Sequence, residues 1–172
     1  MKNFIKSLAL TFAAGAFFAA CNTDPCKDVA CGTNGTCTEG TCNCEAGYEK
    51  DAANLCNVQQ RTKFLGTWSV ADNCSRSGMS NYAVVASAGS SISQVSFTNF
   101  WGLWTTAVVG TVGTNGMDIT VARQQDGTSP YYVEGSGTIN AAGNSISMMY
   151  VISDESDPAN ILRDSCTATW TK

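Results

Sequence analysis

Nine cysteines and fourteen carboxylates are the residues of this 172-residue chain whose chemistry is worth following first, and histidine is absent. Without an imidazole there is no Ser-His-Asp or Cys-His nucleophile and no imidazole metal ligand. No G-x-S-x-G elbow, Walker loop or dinucleotide fingerprint occurs. Asp154, Glu155, Asp157 and Asp164 cluster around Pro158 and offer oxygen ligands of the kind calcium takes. A solvated acidic loop explains them as well, so no metal is assigned. Glycoside hydrolysis needs two facing carboxyl groups, whereas the carboxylates here fall mainly in turns. No catalytic residue and no cofactor are therefore expected, and the chain reads as a non-enzyme. With 10 basic against 14 acidic side chains, nothing would neutralise a phosphate backbone, which excludes nucleic acid as a partner.

The cysteines fall into three groups. Six lie within residues 26–56, spaced C-x4-C-x5-C-x4-C-x-C-x11-C; Cys21 precedes them, and Cys74 and Cys166 follow far apart. So short a segment cannot bury a core that offsets backbone ordering, and covalent staples must replace it. Spacing alone leaves 15 pairings open. A zinc knuckle is the competing use of dense cysteines, but without histidine, and in an oxidising compartment, disulfides are expected.

That compartment is indicated by the N-terminus. Residues 1–20 run from Lys2 and Lys6 through an uncharged apolar stretch, Leu8 to Ala20, in the order of an export signal. The junction Phe18-Ala19-Ala20-Cys21 resembles the lipobox of bacterial lipoproteins, which implies cleavage before Cys21 and acylation of its thiol. Removing Cys21 from the count leaves eight cysteines, which can all pair. Acyl chains contribute about 0.8 kcal/mol per buried methylene, so a multiply acylated Cys21 would anchor residues 21–25 as a polar tether on a membrane. The expected location is the bacterial cell envelope, most simply the outer membrane.

Within the cysteine-rich segment, Cys42-Asn43-Cys44-Glu45-Ala46-Gly47-Tyr48 resembles the C-x-C-x-x-G-Y/F ending of epidermal-growth-factor-like (EGF-like) modules. The resemblance covers 26–56 and implies the pairs Cys26–Cys37, Cys31–Cys42 and Cys44–Cys56. Calcium-binding members carry acidic residues before the first cysteine and an Asn or Asp between the third and fourth. Asp24 and Asp28 flank Cys26, but Thr38-Glu39-Gly40-Thr41 lacks the second feature. The module is expected to act as a rigid spacer.

Residues 57–61 read as a short polar linker, after which β-branched and aromatic residues take over. Period-two alternation predicts strands over 67–71, 82–88, 92–97, 105–112, 117–123, 131–139, 145–152 and 166–171, separated by Gly/Asn/Ser turns. Gly110-Thr111-Val112 with Gly116 and Ile119 is echoed 27 residues later by Gly137-Thr138-Ile139 with Gly143 and Ile146. Two like hairpins in series predict an antiparallel meander with Val112, Ile119, Ile139 and Ile146 facing one interior. Cys74 and Cys166 lie near the ends of the first and last predicted strands. A bridge between them would staple the seam where an up-and-down barrel closes. Phe64-Leu65-Gly66-Thr67-Trp68 is similar to the F-x-G-x-W opening of lipocalins and related calycin barrels, which implies that Trp68 packs across a closed end. The expected fold is all-β: an eight-stranded lipocalin-like barrel over 62–172, with a β-sandwich as the second choice.

One segment remains unassigned. Phe97, Phe100, Trp101 and Trp104 form the densest aromatic stretch, too apolar for an ordinary exposed loop. They are expected either to cover a barrel mouth as packing or to form a binding patch there for a protein, a glycan or a lipid. Two functions follow: a membrane-anchored lipoprotein that works by binding or adhesion, or a carrier with a small apolar ligand inside the barrel.

Overall fold

A computed structural model describes residues 24–172. The expected signal at 1–20 and the expected lipid site Cys21 lie outside them. The described chain holds a small cysteine module and a closed β-barrel.

In the module, β1 (Gly35–Thr38) and β2 (Thr41–Cys44) form a hairpin, and β3 (Tyr48–Glu49) pairs with β4 (Val58–Gln59). Disulfides join Cys26 to Cys37, Cys31 to Cys42 and Cys44 to Cys56. Their loops, 11 or 12 residues apart in sequence, are each worth about 3 kcal/mol in the chain-entropy model. The core they replace consists of little more than Cys31, Cys42 and Cys56 with Val29 against them.

The predicted linker is not free. Val58 and Gln59 complete the β3–β4 pair, and Gln60–Phe64 coil into a 3-10 helix that delivers Phe64, fully buried, into the barrel. A polar composition concealed this because the segment's partners are backbone groups. Gln60 Nε2 donates to the Thr114 carbonyl at 3.0 Å, and the Arg61 guanidinium donates to the Gly89 and Ser91 carbonyls at 3.0 and 2.7 Å. Lys63 Nζ meets Glu49 at 2.6 Å, and Gly47 lies so close to Ile92 that a Cβ there would come within 2.8 Å of its Cγ2. The module is thus clamped to one end of the barrel.

The barrel has eight antiparallel strands: β5 (Gly66–Cys74), β6 (Gly78–Ala88), β7 (Gln94–Thr98), β8 (Val108–Val112), β9 (Asp118–Gln125), β10 (Tyr131–Ile139), β11 (Ser145–Asp154) and β12 (Leu162–Thr171). Each pairs with its neighbour in sequence, and β12 closes on β5 from Thr171–Ser69 to Cys166–Cys74. Alternation sets the inside. Trp68, Val70, Asp72 and Cys74 from β5 and Asp164, Cys166, Ala168 and Trp170 from β12 are buried, while Thr167, Thr169 and Thr171 face out. An apolar interior under a hydroxyl-rich wall is the reverse of a lipid-facing barrel.

The two like hairpins are β8–β9 and β10–β11. Val112, Ile119, Ile139 and Ile146 share the core, and the turn glycines Gly116 and Gly143 take φ of +66° and +70°, where a side chain would be strained. Bulk is balanced across strands: Gly135 and Gly137 stand opposite Tyr150 and Met148, and Gly110 leaves room for Ile119 and Phe97. Trp68 closes the module end, its Nε1 donating to the Phe64 carbonyl at 2.7 Å with Lys172 Nζ 4.4 Å from its ring centre.

Candidate functional site at the barrel mouth

In a meander every second connection emerges at the same end. The turns 89–93 and 113–117 receive the module, so the loops 75–77, 99–107, 126–130 and 155–161 form the opposite end, the mouth. The aromatic stretch is one of these loops.

The structure divides its aromatics. Phe97 and Phe100 are fully buried: Phe97 meets Trp170 edge-on with centroids 5.3 Å apart, and Phe100 packs on Tyr150 at 5.0 Å and Trp170 at 5.7 Å. Trp104 is 5% exposed, so three of the four rings enter the packing of the barrel and its mouth. The facing glycines of β8 and β10 make the room. Only Trp101, half-buried, stays at the rim, beside Leu103 at 70% exposure. Trp101 and Asn99 hold left-handed backbones at φ +56° and +59°. Such a conformation is tolerated by Asn but is an outlier for a bulky residue, costing about 1–3 kcal/mol.

Two acids that alternation and turn composition did not single out hold this end together. Asp126, buried in the β9–β10 turn, takes the Thr106 N–H and the Thr105 and Thr106 hydroxyls on Oδ1, at 2.8–2.9 Å. The Thr105 N–H is shared between its two oxygens, at 3.1 and 3.2 Å. Burial pushes this carboxyl up, but the four donor groups outweigh it and leave it below the ordinary range. This cap is why β8 starts at Val108 rather than at 105. Below the mouth, inward-facing Asp72 is 4% exposed. Its Oδ2 accepts from Tyr82 Oη at 2.7 Å and from Tyr150 Oη, while Oδ1 has no partner. Burial raises the Asp72 carboxyl against the opposing pull of the two tyrosines, and it raises both phenols as well. The Tyr82 ring in turn supports Gly102 of the aromatic loop.

Two recesses flank the loop. One, of about 340 Å³, lies between it and the β9–β10 turn, lined by Trp101, Leu103, Trp104, Thr105, Asp126, Ser129 and Tyr131. The other, of about 330 Å³, lies towards Tyr82, Ser77 and Asn81.

The remaining candidates separate. Asp154 and Asp157 cap the Ser156 and Ala159 amides, Glu155 pairs with Arg123, and Asp164 turns away to accept from Ser75 Oγ and the Arg76 and Ser77 amides. They do not converge as a calcium site would. Asp164 does approach Cys74 and Cys166 as a possible ligand trio, but those two sulfurs are bonded to each other. Neither a protein-family model nor a curated protein matches the sequence.

Proposed function

We propose that the chain is a bacterial envelope lipoprotein, anchored through an acylated Cys21, that works by contact at the barrel mouth. In this reading the EGF-like module is a rigid spacer and the lipocalin-like barrel is a platform rather than a container. It is not an enzyme. One observation carries the reading: the module and the aromatic loop occupy opposite ends of one barrel, so an anchor that enters through the module points the mouth away from the membrane. Supporting it, the interior is occupied by the chain's own Phe97, Phe100, Tyr150, Trp68 and Trp170, which speaks against an apolar cargo.

Two measurements test this. Cys21→Ser should release the protein from membranes, and retention there would refute the anchor. Native mass spectrometry of the processed chain, with disulfides intact, should give a bare mass. An adduct lost on denaturation would favour the carrier instead.

A further inference from the structure

Beneath the aromatic loop lies a carboxyl group with no cation to answer it. Asp72 points inward from β5 and is 4% exposed. Tyr82 from β6 and Tyr150 from β11 both donate to its Oδ2, and their hydroxyls lie 3.5 Å apart, while Oδ1 has no partner. Across the seam, β12 presents Ala168 directly opposite. Farther along that strand Cys166 is held in the disulfide, and Asp164 is turned to Ser75, Arg76 and Ser77. Arg76 is exposed, and the loop 99–107 carries no ionisable side chain. Every buried charged side chain among the described residues is an acid. A carboxyl group so placed is hard to ionise, because water is excluded and no opposite charge replaces it. Burial raises its pKa accordingly.

Of its two partners only one leads outward. Tyr150 is 2% exposed and covered by the Phe100 ring at 5.0 Å. Tyr82 is half-buried and lines the recess of about 330 Å³ at the mouth, together with Ser77, Asn81, Trp101 and Leu103. The same ring supports the aromatic loop. A Cβ on Gly102 would sit 3.2 Å from Tyr82 Cγ, and the Trp101 backbone amide acts on the Tyr82 hydroxyl. Water entering from this recess to reach Asp72 must displace Tyr82, and Tyr82 cannot move without withdrawing its support from Gly102. The loop above is poised to respond. Asn99 and Trp101 hold left-handed backbones, and Asn99 Nδ2 ties this part of the loop to the barrel through the Ala83 carbonyl at 2.8 Å.

We propose that Asp72 is a proton-operated latch on the mouth: protonated, it stays dry under Tyr82 and the aromatic loop is closed; ionised, it draws water in past Tyr82 and loosens the loop. The mouth is firm in mild acid and looser as pH rises. Asp126 acts on the same loop in the opposite sense, because its hold on Thr105 and Thr106 is lost only when it takes up a proton, at the acid extreme. As regulation of the mouth the latch rests on the contact reading, but the coupling itself is measured without any partner.

The test follows the processed chain, isotope-labelled and with disulfides intact, by nuclear magnetic resonance between about pH 3 and 9. The Asp72 carboxyl carbon and the amides of Trp101 and Gly102 should report one shared midpoint above about pH 3.9. Beyond it, hydrogen-exchange protection at the two amides, corrected for the intrinsic effect of pH, should fall about tenfold, the worth of one hydrogen bond. Asp72→Asn, which keeps the shape and stays neutral, should abolish the midpoint at both amides. Tyr82→Phe should leave Asp72 titrating but separate the loop from it. If either variant fails to fold, the shared midpoint in the wild-type chain still decides. An Asp72 that titrates at or below its ordinary value, or not at all in this range, overturns the latch. So does a loop response that Asp72→Asn or Tyr82→Phe retains. None of these results touches the contact reading, which fails instead on an adduct from the barrel interior or on retention of Cys21→Ser at the membrane.

Discussion

Replacing Cys74 and Cys166 by alanine tests why this barrel is closed by a covalent bond at all. The two residues face each other directly across the β12–β5 seam and are 92 residues apart in sequence. Cross-linking a loop of that length removes denatured-state entropy worth about 4.6 kcal/mol at 25 °C. Loss of the two buried sulfurs adds on the order of 1 kcal/mol each. Small domains have about 5–15 kcal/mol in total, so the variant should be folded but weak. Its seam keeps the hydrogen-bonded register from Ser69–Thr171 upward, and near-UV circular dichroism without denaturant should remain native. In urea, followed by the fluorescence of buried Trp68 and Trp170, the midpoint should fall by about 2–4 M for a slope of about 1.7–3 kcal/mol/M. The slope itself should rise, because the released denatured chain exposes more surface. A shift below about 0.5 M with an unchanged slope would refute the entropic account. Loss of the native spectrum before any urea is added would refute it differently, by showing that the bond and not the ladder holds the seam.

Four further outcomes are expected. Asp72 has a raised folded pKa, so its contribution is fully present below about pH 3.9 and is lost as pH rises through the folded value. Urea titrations at pH 4 and 7.5 should therefore show wild type losing ground to Asp72→Asn at the higher pH, and a gain would refute the burial assignment. Asp126 and Asp164, whose carboxyls are lowered because donor hydrogen bonds outweigh burial, act in the opposite sense. Their contribution is present above about pH 3.9 and lost as pH falls through the folded values, so Asp126→Asn should flatten the acid limb of the stability profile. Gly135→Ala would put a Cβ 2.5 Å from the Met149 carbonyl and 2.7 Å from Tyr150 Cα, backbone atoms that cannot step aside. A loss of about 3 kcal/mol in chemical denaturation is expected. Arg61→Ala removes the donors to Gly89 and Ser91 and should cost about 1.5–3 kcal/mol. It should also broaden the distance distribution between spin labels on the module and the mouth, and an unchanged distribution would mean the clamp lies elsewhere.

Much of the fold was legible because alternation is a local signal. Cys166, Ala168 and Trp170 against Thr167, Thr169 and Thr171 mark a strand and its inner face without any partner in view. The 27-residue echo placed both central hairpins, and the cysteine arithmetic placed the seam. The shortfalls have physical reasons. β6 begins at Gly78 rather than 82 because its first residues, Met79 to Asn81, are all exposed and show no alternation, although they pair with β5. The inward position of Asp72 follows from its place between Val70 and Cys74, but its tyrosine partners come from β6 and β11, and only register brings them together. The aromatic loop was left with two readings for the same reason: whether Phe97 and Phe100 fit inside depends on glycines in other strands. Asp126 carried no signal beyond being an acid in a turn.

The clamp between module and barrel also divides the connections into two kinds. At the module end, 89–93, 113–117 and 140–144 are all of one length, and the first two are pinned by side chains from the module's exit. At the mouth, 75–77, 99–107, 126–130 and 155–161 differ in length, and none bears on the module. Residues inserted into the mouth loops would leave the strand register untouched, whereas an insertion into 89–93 or 113–117 would have to displace Arg61 or Gln60. One end of the molecule is therefore held constant by its attachment, and the other is open to diversification: related chains should vary most around Trp101 and least around Gly47 and Ile92.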